Sequence, residues 1–332
     1  MYIVTGGAGF IGSNLVHELN LHGITDILIV DNLADARKHF NLRGARFVDY
    51  MDKREFRRAL HQKELRIPHI EAIFHQGACS NTLVDDGVYM MDNNFTCSKE
   101  ILDYAIEQGA PFVYASTAAV YGLSGQGHFT PTLENEKPLN IYGFSKLAFD
   151  NHVRHRIARQ SLPITVVGLR YFNVYGPRED HKGRMASVIH HFSKQILENR
   201  KVCLFEGSGG YGNGEQRRDF VFVLDLARLN LFFAQAGPYA PAKDQLAKTY
   251  QAVVNAGSGR ARTFNEVAKA LMQVHGEAKI EYMPFPADLE ARYQHFTEAD
   301  LTGLRKTGCD IPMTALEDGV RETFARAETA SA

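Results

Sequence analysis

Little in this 332-residue sequence is in excess, and each shortage removes a class of protein. Charge of one sign is missing: 37 Lys and Arg against 38 Asp and Glu leave a formal net charge of -1. Without a basic field, neither nucleic acid nor an anionic membrane surface is an expected partner, and a small molecule is. Cysteine is scarce, and Cys79, Cys97, Cys203 and Cys309 form no CxxC pair. That spacing suits neither a zinc framework nor a secreted disulfide scaffold, so a reducing compartment is expected. No run approaches the ~20 apolar residues of a membrane-spanning helix. Met1 leads directly into Tyr2-Ile3-Val4-Thr5 and a glycine turn, with no room for a signal peptide. The expected location is the cytoplasm. Internal repeats and low-complexity tracts are also lacking.

What is present is an alternation. Short apolar runs rich in β-branched residues, at 2–5, 27–30, 45–48, 72–75, 112–115 and 164–169, are separated by longer stretches with helical spacing. This is the pattern of a parallel sheet covered by helices on both faces. Strands buried on both sides read as unbroken apolar runs, as Ile27-Leu28-Ile29-Val30 does. The expected fold is α/β, a Rossmann-type doubly wound parallel sheet, with the dinucleotide-binding domain at residues 1–172. After Asn173 the rhythm weakens into a glycine-rich loop at 207–214 and a Pro/Ala-rich stretch at 237–243. The strand-like run 250–255 is expected to return to the sheet, adding a segment near 250–256 to the first domain. A smaller, discontinuous α/β substrate-binding domain then occupies 173–249 and 257–332.

Gly6-Gly7-Ala8-Gly9-Phe10-Ile11-Gly12 follows the first strand and opens a helix. Gly6 permits the tight turn, Gly9 a close approach of backbone to pyrophosphate, and Gly12 helix–strand packing, while the helix N-terminus receives the anion. A plain glycine turn is the alternative, but Asp31 ends the second strand about 20 residues further on, where a carboxylate accepts hydrogen bonds from the adenosine ribose. The combination points to a dinucleotide. Asp31 argues for NAD. Arg37 or Lys38, just beyond it, can neutralise the 2′-phosphate of NADP, unless the pair is simply solvated on a loop.

Tyr142-Gly143-Phe144-Ser145-Lys146 sets a phenol and an ammonium four residues apart, on one face of a helix. The cation is expected to lower the pKa of the phenol, fitting it to exchange a proton with a substrate hydroxyl. The same spacing from Tyr239 to Lys243 contains Pro241 within the Pro/Ala stretch and is discarded. Ser116 and Thr117 stand after the fifth expected strand, at the carboxyl edge where doubly wound sheets bind ligands. Either hydroxyl can hydrogen-bond the reacting oxygen, or satisfy its own backbone instead. His152 and His155 are flanked by Arg154 and Arg156 with no carboxylate at ligand spacing, so no metal site is expected.

The glycine turn, the segment Ser116-Thr117-Ala118-Ala119-Val120-Tyr121-Gly122, Tyr142 with Lys146, Arg170-Tyr171-Phe172-Asn173-Val174-Tyr175-Gly176-Pro177 and Arg218-Asp219-Phe220-Val221 occur in a recognisable order. In that order the whole chain resembles extended short-chain dehydrogenases/reductases acting on nucleotide sugars. The 4,6-dehydratases of that superfamily carry Asp-Glu directly after the hydroxyl, and Ala118-Ala119 here argue against elimination. Resemblance is closer to the ADP-heptose 6-epimerase family, through Asp31-Asn32-Leu33, Asp49-Tyr50-Met51-Asp52-Lys53, Met90-Met91-Asp92-Asn93-Asn94, Gly176-Pro177-Arg178-Glu179 with His181-Lys182-Gly183, Leu204-Phe205-Glu206-Gly207-Ser208 and Arg292-Tyr293-Gln294.

This resemblance implies an NADP-dependent inversion at C6″ of ADP-D-glycero-D-manno-heptose through a transient 6″-ketone, in lipopolysaccharide core sugar biosynthesis. It implies Thr117 as the catalytic hydroxyl with Ser116 close behind, Tyr142 and Lys182 as two acid/base groups, and Lys146 orienting the nicotinamide ribose. Phe10, Ile11, Asn32, Lys38, Lys53, Gln76, Gly77, Ala78, Cys79, Asn93, Val174 and Lys182 would be cofactor contacts. Thr117, Asn173, Arg184, His191, Phe205, Glu206, Gly207, Ser208, Arg218 and Tyr293 would be substrate contacts. Arg184 replaces a small polar residue of some relatives, and the glycine loop before Arg217-Arg218 is longer than in others, which leaves open the arginine that meets the diphosphate. A homo-oligomer, often a pentamer, is also implied. The rival readings are another enzyme of the superfamily, such as a UDP-hexose 4-epimerase or a nucleotide-sugar reductase, and a non-catalytic dinucleotide sensor, which would be expected to lose Tyr142 or Lys146.

Overall fold

The structure, a computed structural model, describes residues 1–123, 129–242, 245, 247–286 and 293–331; Lys243 and Arg292 lie outside the described residues. Strands β1 (Tyr2–Thr5), β2 (Ile27–Asp31), β3 (Asp49–Asp52), β4 (Ala72–His75), β5 (Phe112–Thr117), β6 (Val166–Tyr171) and β10 (Gln251–Ala256) form one sheet in the order β10-β6-β5-β4-β1-β2-β3. All its pairings are parallel. The return of the late strand is therefore found, with β10 alongside β6.

Alternate residues of each strand feed opposite faces, as the two-residue repeat of a strand requires. Val4, Ile29, Phe74, Val113 and Val167 pack with α1 (Phe10–Leu21) and α7 (Val223–Ala234). Ile3, Leu28, Ile73, Phe112 and Val166 pack with α2 (Lys53–Gln62), the helix Cys97–Gln108 and α5 (Ile141–Arg159). A further cluster joins α6 (Val188–Asn199), β8 (Lys201–Phe205), β9 (Arg217–Phe222), α8 (Phe264–His275) and the helix Leu316–Ser331, and includes Phe10 of α1. Two small sheets accompany it: β7 (Asn173–Tyr175) and β11 (Ala261–Thr263) flank β9, and β12 (Lys279–Met283) pairs with β8.

The third strand is misplaced by the apolar pattern. Residues 45–48 lead into the sheet as irregular chain, with Arg46 N donating to Asn20 Oδ1 at 2.6 Å, and β3 is the polar Asp49–Asp52. It is an edge strand, where a short run with charged side chains guards against further pairing and no apolar signal is needed. Asp52 then caps α2, accepting from Arg54 N at 2.8 Å.

Candidate active site

A cleft of about 1180 Å³ opens where β1 and β4 diverge in chain order, walled by the carboxyl ends of the sheet through Thr5, Asp31, His75, Ser116, Thr117 and Tyr171. Ligands of open parallel sheets bind at such switch points. The glycine turn forms one wall. Gly6 adopts φ +67°, and a Cβ there would stand 2.7 Å from Gly77 N. At Gly12 a Cβ would meet Gly6 O at 2.1 Å. Helix α1 starts at this turn with Gly9 as its N-cap and no capping side chain, so its first amides face outward without an internal acceptor. A turn without space for side chains, leading to an uncapped helix N-terminus, fits a dinucleotide diphosphate.

Asp31 Oδ2 accepts from Ala8 N at 2.8 Å, while Oδ1 takes Asn32 N at 2.6 Å and Lys38 Nζ at 2.9 Å. Of the basic pair, Lys38 lines the cleft; Arg37 is exposed and paired with Asp35 at 2.7 Å. Lys53, Gln76, Gly77, Ala78, Cys79 and Asn93 line the same side. A π-helical turn, Asp92–Thr96, brings the asparagines there. Lys53 Nζ donates to Asn93 Oδ1 at 2.9 Å, and Asn94 clasps Cys79, accepting from its N at 2.8 Å and donating to its O at 3.0 Å. Single π turns recur at functional sites because the extra residue re-aims its neighbours. The amide of Gln76 is engaged by Asn230 at 2.9 Å and Tyr171 at 3.0 Å.

Tyr142 and Lys146 sit in the first turns of α5, which Asn140 caps by accepting from Gly143 N at 2.8 Å. Both line the cleft. Lys146 is 4% exposed, and its Nζ donates to Ala115 O at 2.9 Å. Burial drops its pKa to about 8, with Asp150 opposing the fall. For Tyr142 the expected lowering by Lys146 is not found: burial pushes the phenol up, and the force that works against this is a hydrogen bond with Thr117. The two hydroxyls of β5 also part. Ser116 Oγ donates to Asp150 Oδ2 at 2.8 Å, away from the phenol, while Thr117 Oγ1 accepts from Ala119 N at 3.1 Å and joins Tyr142.

Lys182 reaches the cleft from the 3-10 segment Asp180–Met185, its Nζ 4.8 Å from the centre of the Phe10 ring. Burial lowers its pKa, against the pull of Glu179. Glu179 is almost fully buried and holds this loop, accepting from Ser187 N at 2.6 Å, Ser187 Oγ at 2.7 Å and Gly176 N at 3.2 Å. Arg178 ties the loop to α1 through Asn14 Oδ1 at 2.8 Å.

At the far end, Asn173, Val174, His191, Phe205, Arg218 and Tyr293 line the cleft. Arg218 is 7% exposed, lies 4.7 Å over the Tyr293 ring and donates to Arg217 O at 2.9 Å. It has no carboxylate partner among the described residues. Asp219 is instead saturated by Ser258, Gly259 and Ala299. Arg217 is exposed and outside the cleft wall. Four expected contacts are displaced from that wall. Arg184 is exposed beyond the break at Gly183, Glu206 and Gly207 are exposed after β8, and half-buried Ser208 stands behind Gln216, whose Nε2 donates to Glu206 O at 2.9 Å and Ser208 Oγ at 3.2 Å. Gln216 itself lines the cleft and was not anticipated; its place just before the paired arginines is the signal that could have exposed it.

Fold and site together define a dinucleotide-binding protein of the short-chain dehydrogenase/reductase type. More specifically, the chain belongs to the NAD dependent epimerase/dehydratase family, which it matches over residues 2–246. Membership implies a nicotinamide dinucleotide cofactor. Over 321 residues the chain is 51% identical to ADP-L-glycero-D-manno-heptose-6-epimerase of Alkalilimnicola ehrlichii, covering 97% of this chain and 95% of that protein. Among solved structures, the heptose-6-epimerase of Helicobacter pylori superposes with a TM-score of 0.79 at 29% identity, covering 98% of this chain and 96% of its own. The UDP-glucose 4-epimerase of Thermotoga maritima gives 0.75 at 27%, covering 100% and 99%. No described helix is long and apolar enough to cross a membrane.

Proposed function

We propose that the chain interconverts ADP-D-glycero-D-manno-heptose and ADP-L-glycero-D-manno-heptose by transient oxidation at C6″. The observation that carries this reading is a cleft holding two proton-exchanging groups from separate elements, Tyr142 on α5 and Lys182 on the loop after β7. Inverting an exocyclic carbon presents the reacting oxygen in two orientations, and each needs its own acid/base. The 51% identity to a heptose-6-epimerase supports the substrate.

When bound, the nicotinamide supplies hydride acceptance and return. Tyr142 exchanges the proton of the C6″ hydroxyl, with Thr117 holding the phenol in place. Ser116, turned toward Asp150, serves the scaffold. Lys182, which burial makes easier to deprotonate, serves the second orientation. Lys146 binds the nicotinamide ribose. Lys38 selects NADP: Asp31 is already committed to Ala8, Asn32 and Lys38, and the ammonium offers a partner for a 2′-phosphate. Arg218, desolvated and stacked on Tyr293, is the diphosphate ligand in preference to Arg217. Residues 1–172 with the β10 segment form the cofactor half of this assignment, and the remainder the substrate half. A cytoplasmic homo-oligomer accompanies the reading, in keeping with the free state of Cys79, Cys97, Cys203 and Cys309.

Purified protein given ADP-D-glycero-D-manno-heptose and, separately, UDP-galactose tests the proposal. Epimerisation of the ADP sugar without net change in reduced cofactor is expected; turnover of the UDP sugar alone would overturn the substrate.

A further inference from the structure

The face of α5 that carries Tyr142 and Lys146 continues one turn further to Asp150, which is 0% exposed. Four successive residues of β5 are fastened to that face. Tyr114 OH donates to Asp150 Oδ1 at 3.0 Å, Ala115 O accepts from Lys146 Nζ at 2.9 Å, Ser116 Oγ donates to Asp150 Oδ2 at 2.8 Å, and Thr117 hydrogen-bonds Tyr142. Behind Asp150 runs a buried chain of alternating charge. Arg170, itself 0% exposed, contacts Asp150 at 2.9 Å and Glu136 at 2.7 Å, and Glu136 meets Arg154 at 2.7 Å near the surface. A buried charge is tolerated only when paired, so a carboxylate here with this many donors is a built feature.

We infer that Asp150 is a positioning residue for the reaction: by holding Tyr114 and Ser116, its carboxylate locks the end of β5 against α5 and fixes the Ala115 carbonyl that receives the Lys146 ammonium. The inference rests on the proposed role of Lys146. Around Lys146 stand Asp150 and Tyr142 on α5, Cys97 at the start of the helix Cys97–Gln108, His75 on β4 and Tyr114 on β5, with Arg170 behind Asp150. Asp150 is the one carboxylate among them. Taking away its charge leaves a desolvated ammonium near a guanidinium that Glu136 alone then balances, and both influences favour loss of the proton.

The titration of Lys146 can be read without substrate, from the pH dependence of its acetylation by acetic anhydride, quantified by peptide mass spectrometry, with circular dichroism reporting the fold. A midpoint of about 8 is expected for the unaltered protein. Asp150→Asn should lower it by about one pH unit or more, and move the alkaline limb of kcat down with it. Ser116→Ala, which removes one hydrogen bond of the cluster and no charge, should leave the midpoint in place, and Asp150→Glu should restore most of it. An unchanged midpoint in folded Asp150→Asn overturns the inference. If that variant does not fold, Glu136→Gln should produce a smaller shift of the same sign by leaving Arg170 less neutralised, and an unchanged midpoint there is equally fatal. Failure of the unaltered protein to turn over the ADP sugar would sink the proposed function while leaving this titration readable.

Discussion

Gly12→Ala isolates the demand that the cofactor turn places on its residues. A Cβ at this position would lie 2.1 Å from Gly6 O, 2.7 Å from Gly6 C and 2.9 Å from Gly7 Cα, all backbone atoms. The nearest is about 1.3 Å inside the 3.4 Å at which ordinary contact begins. No side chain can swing away, so either α1 shifts or residues 6–9 do. Helix α1 is held by a fully buried face, Leu15, Val16 and Leu19. The turn must therefore yield, and it is the turn that would receive the diphosphate. Overpacking of this kind costs about 1–3 kcal/mol, which at 1.4 kcal/mol per decade weakens dinucleotide binding by roughly 5-fold to 150-fold. Gly23→Ala is the control: Gly23, unlike Gly12, has positive φ, but nothing lies within 4 Å of its would-be Cβ. It should lose about 1 kcal/mol of stability through backbone strain alone and bind as before. Titration calorimetry of stripped protein with NADP measures both. A Gly12→Ala variant with undiminished affinity would refute the placement of the diphosphate.

Three further outcomes are expected. Tyr142→Phe should lower turnover at least ~10²-fold while cofactor binding persists, as loss of a general acid/base does; steady-state kinetics alongside NADP calorimetry checks both halves. Lys38→Ala should weaken NADP by about tenfold or more, the worth of a charged hydrogen bond, and leave NAD little changed, as paired titrations would reveal. His75, fully buried between Thr5 Oγ1 at 2.7 Å and Ser98 Oγ at 2.9 Å, has its pKa pushed down to about 3, chiefly by burial. The unfolded chain takes up this proton first, near the ordinary ~6.5. Stability from this group is thus complete above about 6.5 and drains as pH falls toward 3, by up to a few kcal/mol. His75→Gln should flatten that slope in urea midpoints taken at pH 7 and pH 5, and an identical slope would contradict the assignment.

The interior strands were legible because burial on both faces demands unbroken apolar runs, as in β2 and β4. The edge strand β3 was not, because a strand with a free edge gains from polar residues. The glycine turn and the Tyr142/Lys146 pair declare themselves by spacing along one element. The choice of Thr117 over Ser116 does not, since it depends on Asp150 drawing Ser116 away from 34 residues along the chain. Asp150 stands four residues beyond Lys146, a spacing that the sequence displays but that acquires meaning only with Arg170 and Glu136 packed behind it. Likewise the π turn at Asp92–Thr96 leaves no mark in periodicity, and the exposure of Glu206 and Gly207 follows from the end of β8 at Phe205 rather than from their composition.

Transient oxidation at C6″ is tested most directly with ADP-heptose carrying deuterium at that carbon, incubated with the protein in ordinary water. Hydride removed and returned within the closed site leaves the label on C6″ of the inverted product, and mass spectrometry should find it there. Loss of deuterium to solvent would mean that the carbon is inverted by deprotonation, and the roles given to the glycine turn, Tyr142 and Lys182 would fall together.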